Sequence, residues 1–229
     1  MGIADGVNEK INGDPISYKD ILGLNEFQNV WWSIKNKANS LHPLRGLFQG
    51  IKNLLDISTN SVEPLHCSAF IATGDATADG GIVVGHSTHF NPYIAERCNI
   101  ILDVEPINGY RFMMTCFPGT IWSNEDYYQN DQGMVLVETA LPQGPFKKNG
   151  LTIGIRARNA IQYSNSIDDV IEYLKEGNNG LIPDEWLIGD IKTNEIASIE
   201  LALYNTPIRR TFNGFYWSCN VPHDKKVRR

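Results

Sequence analysis

Four thiols are the side chains here best suited to nucleophilic or ligand chemistry: Cys67, Cys98, Cys116 and Cys219. They lie 31, 18 and 103 residues apart with no Cys-x-x-Cys pair, so the spacing offers neither a zinc site nor a dense disulfide framework. His86 and His89 fall three apart at an expected strand end, where alternating side chains diverge, so they make no metal pair. Asp75-x-Thr77-x-Asp79-Gly80 opens like a calcium loop, but its twelfth position is His86 where a bidentate Glu is required. Neither a metal nor a cofactor is expected. Cys67 is set apart by its place in Leu65-His66-Cys67-Ser68-Ala69-Phe70, where a helical lead gives way to a β-run. By composition alone a Cys in such a run is most simply an inert buried residue; as a nucleophile it would need a base that raises its thiolate fraction.

The elements that would position this thiol can be read on both sides of it. Residues 16–57 read helical: Ser17-x-x-Asp20 is a capping-box-like start, followed by Ile21, Leu24, Phe27 and Trp31, and then by the apolar face Leu44, Leu47, Phe48, Ile51, Leu54, Leu55. From Cys67 the texture turns β, with short runs at 67–72, 81–86, 99–104, 110–116 and 133–137. Asp79-Gly80 and Asn108-Gly109 sit between two pairs of these runs and predict two hairpins. Residues 153–176 predict a helical pair whose second member opens at Ser166-x-x-Asp169, and runs at 186–190, 196–203 and 212–219 predict strands again. Strands, then helices, then strands argue for sheets layered with helices rather than a parallel βαβ fold.

Composition sets the outer bounds. The chain has 229 residues, 42% hydrophobic and 20% charged, enough for one large domain with a core that needs no disulfide staples. Its net charge is −6, and the last five residues hold four of the 20 basic groups against 26 acidic ones overall, leaving 1–224 at −10. Such a body repels nucleic acid. The adjacent aromatics Trp31-Trp32 and Phe215-Tyr216-Trp217 have no basic interleaving and read as core and rim packing rather than a base-stacking platform. No apolar run is long enough for a transmembrane segment, and no basic-then-apolar leader opens the chain; a complete chain would then be cytoplasmic.

Cys67-Ser68-Ala69-Phe70, then Gly85-His86-Ser87-Thr88, then Trp186-Leu187-Ile188-Gly189-Asp190 resemble, in that order, the phospholipase B-like and acyl-coenzyme A:penicillin acyltransferase-like families of N-terminal-nucleophile hydrolases. Phe117-Pro118-Gly119, the Asn130-Asp131-Gln132-Gly133 turn and Glu138-Thr139 fit the same pattern. The resemblance implies an α+β fold, a four-layer αββα sandwich, with residues 1–66 as a helical propeptide or small chain and 67–229 as the catalytic body. It implies self-cleavage between His66 and Cys67 and a thioester on Cys67 formed from a linear amide. The substrate would be a small-molecule amide or acyl compound; a homo-oligomer is left open. The freed α-amino group, with a reference pKa of about 7.7–8.0, would serve as base for its own thiol.

Position by position, the resemblance gives Asn130 the role of stabilising the tetrahedral oxyanion, and His86 that of orienting the nucleophile. His89 stands where the acyltransferase branch would have an Asp, which favours the phospholipase B-like side. Asp184 stands two before Trp186, where relatives carry an oxyanion-stabilising Asn. A carboxylate there opposes developing negative charge unless protonated. The competing reading is a catalytically weak or inactive binding or scaffold protein that keeps the fold.

Overall fold

The computed structural model describes residues 2–26, 66–89, 92–96, 100–123, 125–142 and 144–228. Its helices are α1 (Gly2–Asn8), α2 (residues 18–26), the single turn α3 (Pro92–Ala95), α4 (Ile153–Tyr163) and α5 (Ile167–Lys175). The strands are β1 (His66–Gly74), β2 (Gly80–His89), β3 (Ile100–Val104), β4 (Phe112–Cys116), β5 (Tyr127–Asn130), β6 (Met134–Ala140), β7 (Asp184–Asp190), β8 (Glu195–Leu201), β9 (Ile208–Thr211) and β10 (Gly214–Ser218). Two antiparallel sheets result: a small one in the order β10-β1-β2 and a large one running β3-β4-β5-β6-β7-β8-β9.

Both expected hairpins form. Asp79-Gly80 closes β1 onto β2, with Asp79 Oδ1 accepting the Gly81 N–H at 3.0 Å, and Asn108-Gly109 closes β3 onto β4. Gly109 holds φ +94, a conformation that favours glycine, and any Cβ there would strike the Gln162 carbonyl oxygen at 2.6 Å. The helical pair is also as expected: the Ser166 side chain accepts from Asp169 N at 3.2 Å and caps α5, which buries Ile167, Val170, Ile171 and Leu174. Each such side chain contributes about 1.5–3 kcal/mol by leaving water. In the lead, Ser17 donates its backbone N–H and its hydroxyl to Asp20, each at 2.7 Å, at the start of α2. The continuation of this helix through Phe27 and Trp31, and the expected second helix with Leu44, Leu47, Phe48, Ile51, Leu54 and Leu55, lie outside the described residues.

The central strands β6, β7 and β8 of the large sheet are buried on both faces. Even-numbered residues of β6 and β7, such as Met134, Leu136, Trp186 and Ile188, pack with Ala157, Ile161, Val170 and Leu174 of the helical pair. Odd-numbered ones, Val135, Val137 and Leu187, pack against Ala69 and Ile71 of β1. Gly189 keeps the seam between sheets thin, because a Cβ there would meet Val135 Cγ1 at 2.8 Å and Ile71 Cδ1 at 3.0 Å. Three layers are thus seen among the described residues: helices, large sheet, small sheet. The outer face of the small sheet exposes Phe70, Val83, Phe215 and Trp217, and the fourth layer of the expected αββα sandwich is not among the described residues. No helix there is long and apolar enough to cross a membrane.

Candidate active site

Cys67 is the second residue of β1, the central strand of its sheet. Strand alternation sends Cys67, Ala69 and Ile71 inward while Ser68 and Phe70 face out. The ladder to β10 begins only at Ala69, so the Cys67 N–H lies beyond it. A side chain takes it instead: Asn220 Oδ1 accepts the Cys67 N–H at 2.8 Å, and Asn220 Nδ2 donates to the Ala140 carbonyl at 2.7 Å. Asn220 itself has φ +64, a left-handed conformation that aims an amide where a continuing strand would have aimed backbone.

The thiol points at a carboxyl group. Cys67 Sγ lies 3.9 Å from Asp126 Oδ2, and Asp126, like Asn220, has positive φ (+59). Burial, then the Asp126 charge, pushes the Cys67 thiol up to about 12, so in the intact chain it is protonated near neutral pH. Asp126 is also one of three buried acids. The Glu138 N–H donates to the Asp126 carbonyl, extending the β5–β6 register by one pair and setting the two side chains opposite each other. Asp184, paired with Ala140 on the next strand, is diagonal to Glu138. Glu138 thus sits between the two aspartates and influences the titration of both.

Burial raises all three carboxyls, Asp126 and Asp184 each to about 7 and Glu138 well above its ordinary range, the last reinforced by its acidic neighbours. The nearby cation is Arg156 of α4, 1% exposed, which donates Nη1 to the Leu174 carbonyl. Burial lowers Arg156 to about 10, an effect the Asp184 charge opposes. Glu138 Oε1 and Asp184 Oδ2 are buried without a hydrogen-bond partner among the described residues.

His86 of β2 places Nε2 2.7 Å from the Glu138 carbonyl oxygen and Nδ1 3.3 Å from Thr88 Oγ1. A carbonyl only accepts, so Nε2 carries the proton and Nδ1 the lone pair. Burial lowers the His86 pKa, keeping the ring neutral. Thr88, which pairs with Cys67 across β1 and β2, also donates to the Glu125 carbonyl at 3.2 Å.

Of the residues singled out by sequence, the structure brings together Cys67, His86 and, through Glu138, Asp184. Asp184 does not stand beside the thiol: its neighbours are Glu138 and Arg156, and its charge weighs on Cys67 less than that of Asp126. Asn130 is not brought beside the thiol. It lies at the far end of β5, about 13 Å along the strand from Asp126 at 3.3 Å per residue. Its Nδ2 donates to the Ile161 and Ser164 carbonyls and its Oδ1 accepts from Gln132 N and Met134 N, so no donor is left for an oxyanion. Sequence reasoning missed Asp126 and Asn220. The available signal was weak: each is a short polar residue at a strand boundary, a type that tolerates positive φ.

Fold and site together describe a layered protein of antiparallel sheets and segregated helices, with a buried thiol at the start of a central strand. The chain matches no protein-family model. It is similar to an uncharacterised curated protein of Archaeoglobus fulgidus, 26% identical over 197 residues. That match takes in 85% of this chain but only 30% of the relative, so the chain spans under a third of the relative's length. Among solved structures it is similar to a mutant of conjugated bile acid hydrolase from Clostridium perfringens, at TM-score 0.44 and 13% identity, covering 70% of this chain and 55% of that one. A second variant of the same enzyme gives TM-score 0.37 at 11% identity, covering 71% and 47%.

Proposed function

We propose that the chain is a cysteine N-terminal-nucleophile hydrolase of the αββα class, which cuts itself between His66 and Cys67 and then acts on linear amides. Residues 1–66 would be the propeptide or small chain and 67–229 the catalytic body. The observation that carries the reading is the seat of Cys67: its backbone nitrogen is held by the Asn220 side chain at 2.8 Å while its Sγ faces Asp126. An acceptor on that nitrogen serves an amide before cleavage and an amine after it.

In the intact chain the Cys67 nitrogen is an amide and not an amine, so Asp126 takes the thiol proton. Sγ adds to the His66 carbonyl carbon; the C–N bond breaks as the proton passes to the Cys67 nitrogen. Water then hydrolyses the thioester, leaving a carboxylate on His66 and a free amine and thiol on Cys67. In turnover the amine accepts the thiol proton, Sγ takes the acyl group, the substrate amine leaves protonated, and water or an acceptor amine resolves the thioester. His86, tied by Nε2–H to the Glu138 carbonyl, orients the β2 side of the site.

Intact-mass spectrometry of the purified chain tests this. Fragments of 66 and 163 residues, about 7 and 18 kDa by proportion of 25.7 kDa, are expected, and Cys67→Ala should stay whole. Cutting that persists in Cys67→Ala overturns the mechanism; an uncut wild type favours a non-catalytic binding protein with three buried acids in place of an active centre.

A further inference from the structure

Beyond hydrolysis, the side chains around Cys67 have the makings of a cation site. One ligand atom each from Cys67, His86 and Asp126 lie within 4.8 Å of one another, with Sγ and Oδ2 3.9 Å apart. Four-coordinate zinc, at about 2.3 Å to sulfur and about 2.0–2.2 Å to nitrogen and oxygen, brings its ligands to roughly 3.5 Å from each other, so small side-chain shifts suffice. Three protein ligands with an open fourth position is a common zinc arrangement.

The surroundings fit as well. A ligating histidine usually gives its other ring N–H to a carbonyl or carboxylate, which fixes the tautomer. Here the Glu138 carbonyl does so for Nε2, leaving the Nδ1 lone pair on the side of Thr88, the residue paired with Cys67. Protons are scarce. The one Thr88 hydroxyl proton is shared between the Glu125 carbonyl and His86 Nδ1. Behind them, Glu138 Oε1 and Asp184 Oδ2 are buried with no partner among the described residues. A thiolate, a carboxylate and a neutral imidazole carry two negative charges, which a dication cancels.

We propose that Cys67, His86 and Asp126 bind a divalent transition cation of the zinc class, and that the bound cation masks Cys67 as a nucleophile while the chain is intact. Binding replaces the thiol proton, and the proton of Asp126 where present, by bonds to the cation and releases those protons to solvent. The masking half rests on the nucleophile reading above; the binding half does not.

The test uses the full chain freed of metal by a chelator and titrated with Co2+ and with Zn2+. One Co2+ per chain with a thiolate-to-cobalt charge-transfer band is expected. The band should be absent in Cys67→Ala and retained in Cys219→Ser, and Asp126→Asn and His86→Ala should each bind at least about tenfold more weakly. No band, a band that survives in Cys67→Ala, or unchanged affinity in Asp126→Asn overturns the site. One equivalent of Zn2+ should slow Cys67 alkylation and self-cleavage at least about tenfold, with EDTA restoring both; unchanged rates at full occupancy overturn the masking. A chain that binds Co2+ through Cys67 yet never cuts after EDTA would defeat the nucleophile reading alone.

Discussion

The two ends of β5 differ in one respect that separates scaffold from chemistry. At the Asn130 end every polar atom of the side chain is used: two donors meet the carbonyls that finish α4, and the oxygen takes two backbone N–H groups of the β5–β6 turn. At the Asp126 end three acids crowd together, two with an oxygen lacking any partner among the described residues, and a thiol leans on the first. A saturated side chain can only hold its neighbours in place. Acids that titrate near neutral pH can exchange their protons.

The sharpest way to break this contrast is Asp126→Asn, which keeps the shape and removes the proton acceptor. Self-cleavage followed by intact mass should slow by at least about a hundredfold, the lower range for loss of a general base, while the thermal midpoint at pH 8 holds or rises. A variant that cuts at the wild-type rate would place the proton elsewhere. Asn130→Ala should do the opposite, costing about 2–4 kcal/mol in denaturant titrations by stranding two carbonyls and two N–H groups, with an unchanged cleavage rate in the folded fraction.

A smaller effect is expected from pH. Asp126 and Asp184 are raised from ordinary carboxyl values to about 7 in the fold, chiefly by burial. Between about pH 4 and 7 the unfolded chain therefore holds fewer protons than the native one, so the stability these groups supply is complete below about pH 4 and lost as pH passes 7. Denaturant midpoints should fall across that window, and less so in Asp126→Asn; a midpoint that rises from pH 5 to 8 would contradict the acid cluster. Smallest is an order of labelling. In the intact chain exposed Cys219 should react with iodoacetamide before buried Cys67, and cleavage should reverse the order, as peptide mapping would show.

Local chemistry made much of the fold legible. Asp-Gly and Asn-Gly dipeptides placed β1–β2 and β3–β4, and Ser166 with Asp169 placed the start of α5. Since one hairpin joins Cys67 to His86, that half of the site could be read from order alone. Two strands were not visible. β5 is the four residues Tyr-Tyr-Gln-Asn, which contain no β-branched side chain and end in a turn, and β9 is Ile-Arg-Arg-Thr at a sheet edge. The contacts of Asn130 were hidden in the same way, because a turn asparagine looks alike whether its amide is free or fully engaged. Asp126 and Asn220 lie 59 and 153 residues from Cys67, and only cross-strand register and left-handed backbone bring them to it.

One feature of the small sheet bears on what a cut ahead of Cys67 would do to the molecule. β1 is laced to β2 on one side and β10 on the other, and β10 is in turn pinned to the large sheet where Ser218 Oγ donates to Glu185 Oε2 at 2.7 Å. A new terminus at Cys67 would be the end of an inner thread in a woven patch, held by β2 and the Asn220 side chain and joined by β10 from Ala69 onward, rather than a loose tail. Covalent continuity could be lost at residue 66 without the weave opening, so amide exchange at Phe70 and Ile71 should be as slow after the break as before it.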